Sequence, residues 1–228
     1  PAVENHYGGA TVMYCLPGEK TQLPDKEHFF PNTSNMIQYI NFDSDEVHDL
    51  VNHYGEEDYL APSTVGSLRE DYHPGEIVFV DQFIDRTTRR EQSFYTAAEG
   101  KVCHISVAEP MCPELRKIII NIAKDMKLKM HETGTYVCIE GPRFSSKAES
   151  KMYRQWCADV VGMTLVPECV LAREAEICYA SISTVTDYDV WKEHAVSVEE
   201  ILTTMKNNVE NVKHIIAETV ARTPIEVS

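Results

Sequence analysis

Two aspartates that follow a long apolar segment are the side chains best suited to proton chemistry in this sequence. Asp187 and Asp189 belong to the run Thr186-Asp187-Tyr188-Asp189, at the end of the predicted strand 177–186, which is rich in apolar and β-branched residues. In an extended backbone, residues two apart project to the same side, so both carboxyls can face one ligand. Two close carboxylates raise the pKa of one of them, which then holds a proton near neutral pH.

A protonated carboxyl at this position has the donor and acceptor pattern that reads adenine. Its O–H can serve N7 while its other oxygen accepts the N6 proton, and the same proton can neutralise a departing base as a glycosidic bond breaks. The alternative interpretation is a surface turn in which the two aspartates only cap and solvate the chain. On composition alone that alternative is favoured, because aspartates at strand ends are common.

A second segment joins a predicted strand to a predicted helix and offers groups for a base. It reads Glu140-Gly141-Pro142-Arg143-Phe144-Ser145-Ser146. Phe144 could stack on a base and Ser145 could hydrogen-bond to its edge. A turn with a buried Phe and a simple helix cap explains the same residues equally well.

Hydroxyl-bearing residues in two segments of the chain are candidates for binding an anion. Thr164 ends a predicted strand just ahead of a helix that Pro167 opens, and a hydroxyl near a helix N-terminus suits phosphate. Ser63 and Thr64 lie in residues 61–68, which we interpret as a hydroxyl-rich loop after a strand. The alternatives are a helix cap at Thr164 and an ordinary turn at residues 61–68.

Strands alternate with helices along the chain, which predicts an α/β fold with a buried, partly parallel sheet. Two capping boxes, Ser146 with Glu149 and Ser197 with Glu200, mark helix starts. We predict helices over residues 44–54, 113–127, 146–156, from 167, and 197–221, and strands over residues 76–80, 135–139, 160–164 and 177–186.

Composition excludes several functional classes. The 228 residues carry a formal net charge of −15, which disfavours nucleic acid and anionic membrane surfaces as partners. The apolar runs are too short to cross a bilayer, and no signal peptide is expected. The seven cysteines form no Cys-x-x-Cys pair and the histidines have no metal-ligand spacing, so we expect neither structural disulfides nor a metal. The cytosol is the expected location, with the nucleus as an alternative.

Several runs along residues 59–221 occur in the order found in one known family. They are Asp81-Gln82-Phe83-Ile84-Asp85-Arg86-Thr87-Thr88, Ala108-Glu109-Pro110, residues 140–150, Met163-Thr164 with Val166-Pro167-Glu168, and the Asp187 run with Trp191-Lys192-Glu193. In these runs the chain resembles the 5′-methylthioadenosine phosphorylases, within the trimeric branch of the purine nucleoside phosphorylases. The resemblance reverses the interpretation of the aspartate pair as a solvated turn.

The resemblance implies a single α/β domain with a central mixed, mostly parallel β-sheet flanked by helices. It places a phosphorylase-like domain at residues 59–228, preceded by a divergent segment at residues 1–58 that can join the same domain. It implies a pentosyltransferase of purine salvage that converts 5′-methylthioadenosine and phosphate into adenine and 5-methylthioribose 1-phosphate. No metal or organic cofactor is implied, phosphate is a co-substrate, and the assembly is a homotrimer.

The resemblance also implies roles for individual residues. Asp187 would supply the proton to adenine, Asp189 would support it, and Phe144 and Ser145 would contact the base. Three residues would serve the sugar and its 5′ group: Met163, Val198 and, from a neighbouring subunit, His104. Phosphate would be held by Ser63, Thr64 and Thr164.

The chain departs from the family pattern near its beginning. The family's Gly-Gly-(Ser/Thr)-Gly loop and its phosphate-binding Arg-His pair have no counterpart that we can place, and the first arginine of this chain is Arg69. The alternative function is therefore a catalytically impaired nucleoside-binding homologue, or one that modifies an assembly. A third hypothesis, action on inosine or guanosine, is disfavoured by Asp187 and Ser145, because an O6 acceptor requires a donor.

Overall fold

A seven-stranded mixed sheet forms the centre of the protein. The computed structural model describes residues 58–94, 103–174, 176–192 and 198–222. Within them the strand order is β3-β5-β6-β1-β7-β2-β4. The strands are β1 (Asp58–Ser67), β2 (Ile77–Val78), β3 (Gln82–Arg86), β4 (Met130–His131), β5 (Thr135–Ile139), β6 (Val160–Gly162) and β7 (Cys178–Asp187).

The sheet contains parallel groups of strands that run in opposite directions. Strands β3, β5 and β6 are mutually parallel, β1 is parallel to β7, and β2 is parallel to β4. The junctions between β1 and β6 and between β2 and β7 are antiparallel. The expectation of a mixed, mostly parallel sheet flanked by helices is confirmed.

Within the described residues, four helices pack on the sheet: α1 (Pro113–Asp125), α2 (Lys147–Gln155), α3 (Leu165–Glu174) and α4 (Val198–Arg222). Helix α1 presents Leu115, Ile119 and Ile122 to a core shared with β7 and α4, because these residues recur at helical spacing. Helix α3 packs over β1 and β7 through Leu165 and Cys169. No helix of the described part of the chain is long and apolar enough to span a membrane.

Most predicted elements are present close to their predicted bounds. Strand β5 matches residues 135–139, and α2 begins after Ser146 with both halves of its capping box formed. The strand predicted at residues 76–80 is limited to Ile77–Val78. The predicted helix over residues 44–54 lies outside the described residues.

Residues 61–68 do not form the loop that we predicted. Residues 61–67 belong to the ten-residue strand β1, which pairs with β7 from Asp58 to Gly66, and Leu68 directly follows the strand. Pro62 and the hydroxyl residues suggested a turn. Pairing with the apolar strand β7 overrides this local preference. On its other edge β1 pairs with β6 only at Gly66 and Ser67, so Pro62, which has no N–H, faces no partner strand on that edge.

The expectation that the chain has no structural disulfide is also wrong. Cys112, the N-cap of α1, is bonded to Cys178, the first residue of β7, with a Cα–Cα distance of 5.1 Å. The two residues lie 66 positions apart, and only packing α1 against β7 brings them together. Sequence spacing carries no signal for such a pair.

Candidate active site

Asp187 ends β7 with both carboxylate oxygens oriented by the protein. The Thr186 hydroxyl donates to Oδ1 at 2.7 Å, and the backbone N–H of Asp189 donates to Oδ2 at 2.8 Å. The carboxyl is partly buried beside Gly66, where an added Cβ would lie 3.2 Å from Oδ2. Strand β1 therefore approaches the carboxyl closely because it carries no side chain at this position.

Asp189 reaches the same place by a turn rather than by strand alternation. The strand stops at Asp187, and Asp189 has φ +49°, a left-handed conformation that Asp tolerates better than most residues. The expectation that an extended backbone aligns the pair is therefore wrong. The turn places Asp189 Cβ 3.3 Å from the same added Cβ at Gly66, so the two acids do lie together.

Burial is the main reason that both carboxyls resist ionisation. Removal from water raises the pKa of Asp187, while the hydrogen bonds from Thr186 and from the Asp189 amide lower it. Burial also raises the pKa of Asp189, and the nearby charge of Asp187 raises it further. We predicted that mutual repulsion would raise one pKa; for Asp187 desolvation is the larger cause. Either acid is thus suited to holding a proton.

The segment after β5 brings two serines to Asp189. Ser145 and Ser150 are buried, and their hydroxyls lower the pKa of Asp189 by interacting with its carboxyl. Neither hydroxyl, nor Asp189 Oδ2, is held in a hydrogen bond of regular geometry. Buried polar atoms in this state have capacity left for a ligand or water. The side chain of Phe144, next to Ser145, is 63% exposed and free to cover a ligand.

A second polar group forms where β6 ends against β1. Ser63 Oγ and Thr164 Oγ1 lie 3.1 Å apart, and the backbone N–H of Thr164 donates to Tyr136 Oη at 3.3 Å. Ser63 is buried, and Thr184 on β7 donates to its carbonyl oxygen at 3.1 Å. The hydroxyls of Ser63 on β1, Thr164 after β6 and Tyr136 on β5 therefore lie close together.

The register of β1 fixes how the two polar groups are spaced. Gly66 pairs with Val161 of β6 and with Asp187 of β7, while Ser63 lies three residues earlier on β1. At about 3.3 Å per residue, this separates the groups by about 10 Å along the strand. A purine nucleoside with phosphate near its sugar can span that separation.

Other residues implied by the resemblance lie in different surroundings. Met163 directly precedes Thr164 and packs on the core that includes Leu68 and Tyr153. Thr64 projects from β1 to the opposite face from Ser63, because adjacent strand residues alternate. His104 is exposed in this single chain. Val198 is the first residue of α4, and its side chain lies outside the described part of the structure.

Arg90 was not identified from the sequence, although it holds this region together. Its guanidinium donates to the carbonyl oxygens of Glu140 (2.9 Å) after β5, Met163 (2.6 Å) after β6 and Val166 in α3. It also approaches the Glu140 carboxylate at 3.6 Å. The arginine sits two residues beyond the matched run that ends at Thr88, so the run itself was the available signal.

The described residues contain no group of three or more His, Cys, Asp or Glu side chains arranged to hold a metal ion. The groups that the described site offers are the carboxyls of Asp187 and Asp189, the hydroxyls of Ser63 and Thr164, and backbone amides.

Known proteins resemble this chain over most of its length. Residues 45–221 match the family model described as the phosphorylase superfamily. The chain belongs to the phosphorylase superfamily. Among curated members, S-methyl-5′-thioadenosine phosphorylase of Pyrococcus horikoshii is 56% identical over 172 residues, which is 75% of this chain and 66% of that protein. The enzyme of the same name from Xenopus tropicalis is 56% identical over 162 residues, 69% of this chain and 58% of its own length.

Solved structures of the phosphorylase superfamily share the fold. Methylthioadenosine phosphorylase from Schistosoma mansoni in complex with adenine has a TM-score of 0.70 and 38% identity, over 77% of this chain and 67% of that one. A point mutant of the same organism's enzyme in complex with methylthioadenosine has a TM-score of 0.68 at 38% identity, over 77% of this chain and 66% of that one. The chain thus spans about two thirds of the length of the relatives that it matches.

Proposed function

We propose that the protein is a 5′-methylthioadenosine phosphorylase, which uses phosphate to release adenine and form 5-methylthioribose 1-phosphate. The observation that carries the proposal is the Asp187 carboxyl, partly buried at the end of β7 with a raised pKa and next to a second acid. A carboxyl that holds its proton there can hydrogen-bond to N7 and accept from N6 of adenine. Relatives that are 56% identical and named for this activity support the assignment.

Each residue of the candidate site has a role in the proposed reaction. Asp187 delivers its proton to N7 as the glycosidic bond lengthens, so that adenine departs neutral. Phe144 and Ser145 hold the base, and Asp189 supports Asp187. Met163 and Val198 are the residues that we assign to the sugar and its 5′ group. The hydroxyls of Ser63 and Thr164 bind the phosphate that attacks the anomeric carbon on the other side of the sugar, whereas the Thr64 side chain, on the opposite face of β1, does not join them.

The proposal extends to cofactors, assembly and location. Phosphate serves as co-substrate, and neither a metal nor an organic cofactor takes part. We propose a homotrimer in which His104, exposed in the single chain, reaches a neighbouring site. The net charge of −15 favours small-molecule partners over nucleic acid and membranes. The cytosol is the proposed location, with the nucleus as an alternative.

A second candidate is a homologue that binds nucleosides without turning them over. Two observations favour it: no arginine precedes Arg69, and the guanidinium of Arg90, beside Thr164, is engaged by carbonyl oxygens. Loss of one charged donor at a phosphate costs on the order of a hundredfold in rate. This candidate predicts adenosine-type binding with no release of adenine.

One assay separates these functions. Purified protein is incubated with methylthioadenosine with and without phosphate, and adenine is followed by chromatography. Phosphorolysis requires adenine release that depends on phosphate. Release that is equal without phosphate would identify a hydrolase, and binding without release at high protein concentration would establish the nucleoside-binding homologue.

A further inference from the structure

A buried phenol contacts both hydroxyls assigned to phosphate. Tyr136 Oη accepts the Thr164 N–H at 3.3 Å and interacts with the hydroxyls of Ser63 and Thr164. Its ring is 0% exposed, and a Cβ added to Gly162 would lie 2.0 Å from Oη. The phenol is therefore fixed in a slot that is open only because residue 162 is a glycine.

The hydrogen-bond count at this phenol determines how its neighbours are oriented. Burial raises the pKa of Tyr136 far above its usual range, so the phenol keeps its proton. Its oxygen already accepts from the Thr164 amide, and its own O–H needs a buried acceptor. We assign that role to Ser63 Oγ, which turns the Ser63 proton away from the Thr64 carbonyl oxygen at 3.5 Å and toward Thr164 Oγ1 at 3.1 Å, a contact in which either hydroxyl can be the donor. The hydroxyl proton of Thr164 then points away from Ser63 and Tyr136.

We propose that Tyr136 is a positioning residue, which orients the Ser63 and Thr164 hydroxyls so that Thr164 donates to the attacking phosphate. The inference rests on the proposed function, because it assigns phosphate to this pair of hydroxyls. Tyr136 does not touch the substrate. It acts through Ser63, and the effect is specific to the anion rather than to the base, which lies about 10 Å away along β1.

Tyr136→Phe keeps the ring in its place beside Gly162 and removes only the phenol hydroxyl that begins this series of hydrogen bonds. We expect the KM for phosphate to rise about fivefold, the size of one lost hydrogen bond, while the KM for methylthioadenosine stays within about twofold. Tyr72→Phe is the matched control, because that buried phenol donates to Thr133 O at 3.1 Å, remote from Thr164 in the sheet. The control should leave both KM values unchanged.

A double-mutant cycle distinguishes positioning from a general structural effect. In a Thr164→Val background the oriented hydroxyl is gone, so adding Tyr136→Phe should not raise the phosphate KM further. Equal increases in both backgrounds, or parallel increases in both KM values, would overturn the proposal. If Tyr136→Phe does not fold, Ser63→Ala breaks the same chain at its next member and replaces it in the cycle.

Failure of this inference can be told apart from failure of the proposed function. The rise in Tm caused by phosphate measures anion binding without turnover. A wild-type chain that releases no adenine but gains Tm with phosphate refutes phosphorolysis, and a smaller gain in Tyr136→Phe still supports the positioning role. A wild-type chain that shows neither adenine release nor a phosphate-dependent Tm gain overturns both.

Discussion

At the scale of single residues, the environment of Asp187 combines opposing effects on one proton. Burial favours the neutral carboxyl, whereas the Thr186 hydroxyl and the Asp189 amide favour the carboxylate. A group balanced in this way can give up its proton without a large penalty in either state, which is the property required of a general acid. Asp189 adds a second acid whose own pKa is also raised by burial.

Asp187→Asn should abolish proton delivery while it preserves the shape of the site. The amide can still hydrogen-bond to Thr186 and to the base, but it cannot transfer a proton to N7. We expect kcat to fall by about 10²–10⁴, with binding of adenine changed far less. Steady-state kinetics and calorimetric titration with adenine measure the two quantities.

The matched control for this substitution is Asp125→Asn. Asp125 is exposed on α1 and pairs with Arg222 at 2.8 Å, and its replacement should leave kcat unchanged. In the wild type, kcat should fall as pH rises through the raised pKa of Asp187, because the active form is protonated. Full activity of Asp187→Asn would show that another group supplies the proton.

At the scale of elements, α3 and β7 share a buried acid that the proposed reaction does not use. Glu168 on α3 accepts a hydrogen bond from the Tyr179 hydroxyl on β7 at 3.0 Å. Burial raises the pKa of Glu168 from 4.5 to about 7, although Tyr179 and the charge of Arg90 lower it. The packing of this helix on the sheet is therefore linked to protonation.

Glu168→Gln should remove one source of pH dependence from the stability of the protein. Between pH 4.5 and about 7 the folded state keeps a proton that the unfolded chain loses, so the contribution of Glu168 is full below 4.5 and is lost as pH rises to 7. The variant should therefore gain on the order of 3 kcal/mol relative to the wild type between pH 4.5 and pH 8. Denaturant unfolding of both proteins at the two pH values measures this gain.

A control for this effect is available on the surface. Glu132 forms an exposed ion pair with Lys124 at 2.6 Å, and Glu132→Gln should change stability by no more than about 0.5 kcal/mol at either pH. A difference between Glu168→Gln and the wild type that stays constant with pH would mean that folding does not raise the pKa of Glu168 above its value in the unfolded chain.

Elements defined by local chemistry could be predicted from the sequence, whereas their mutual placement could not. The capping box of Ser146 and Glu149 and the apolar strand β5 were found because each signal lies within a few residues. Strand β1 was taken for a loop, because Pro62 signals a turn and only its pairing with β7 reveals a strand. Tyr136 and Arg90 escaped notice for a related reason: their partners are distant in sequence.

At the scale of the whole molecule, the antiparallel junction between β1 and β6 assembles the candidate site. We expected ligand-binding groups at the carboxyl ends of parallel strands. In the structure the carboxyl ends of β7 and β6 approach β1 from opposite directions, at Gly66 and Ser63 respectively. The acid and the hydroxyls therefore lie along one strand instead of at one edge, which suits a ligand with a base at one end and an anion at the other.

The disulfide between α1 and β7 allows the whole fold to be tested by one covalent change. It joins residues 66 positions apart and so closes a loop that contains α1, β4, β5, α2, β6 and α3. Reducing the bond frees this loop in the unfolded chain, which should lower the free energy of unfolding by about 2–4 kcal/mol. Denaturant titrations with and without dithiothreitol measure the loss, and thiol counting in denaturant should show two additional thiols after reduction.

Cys112→Ala is the control, because a variant that already lacks the bond should have the same stability in both buffers. Equal stability of the wild type in both buffers, with no thiols released by reduction, would show that Cys112 and Cys178 are not bonded in solution.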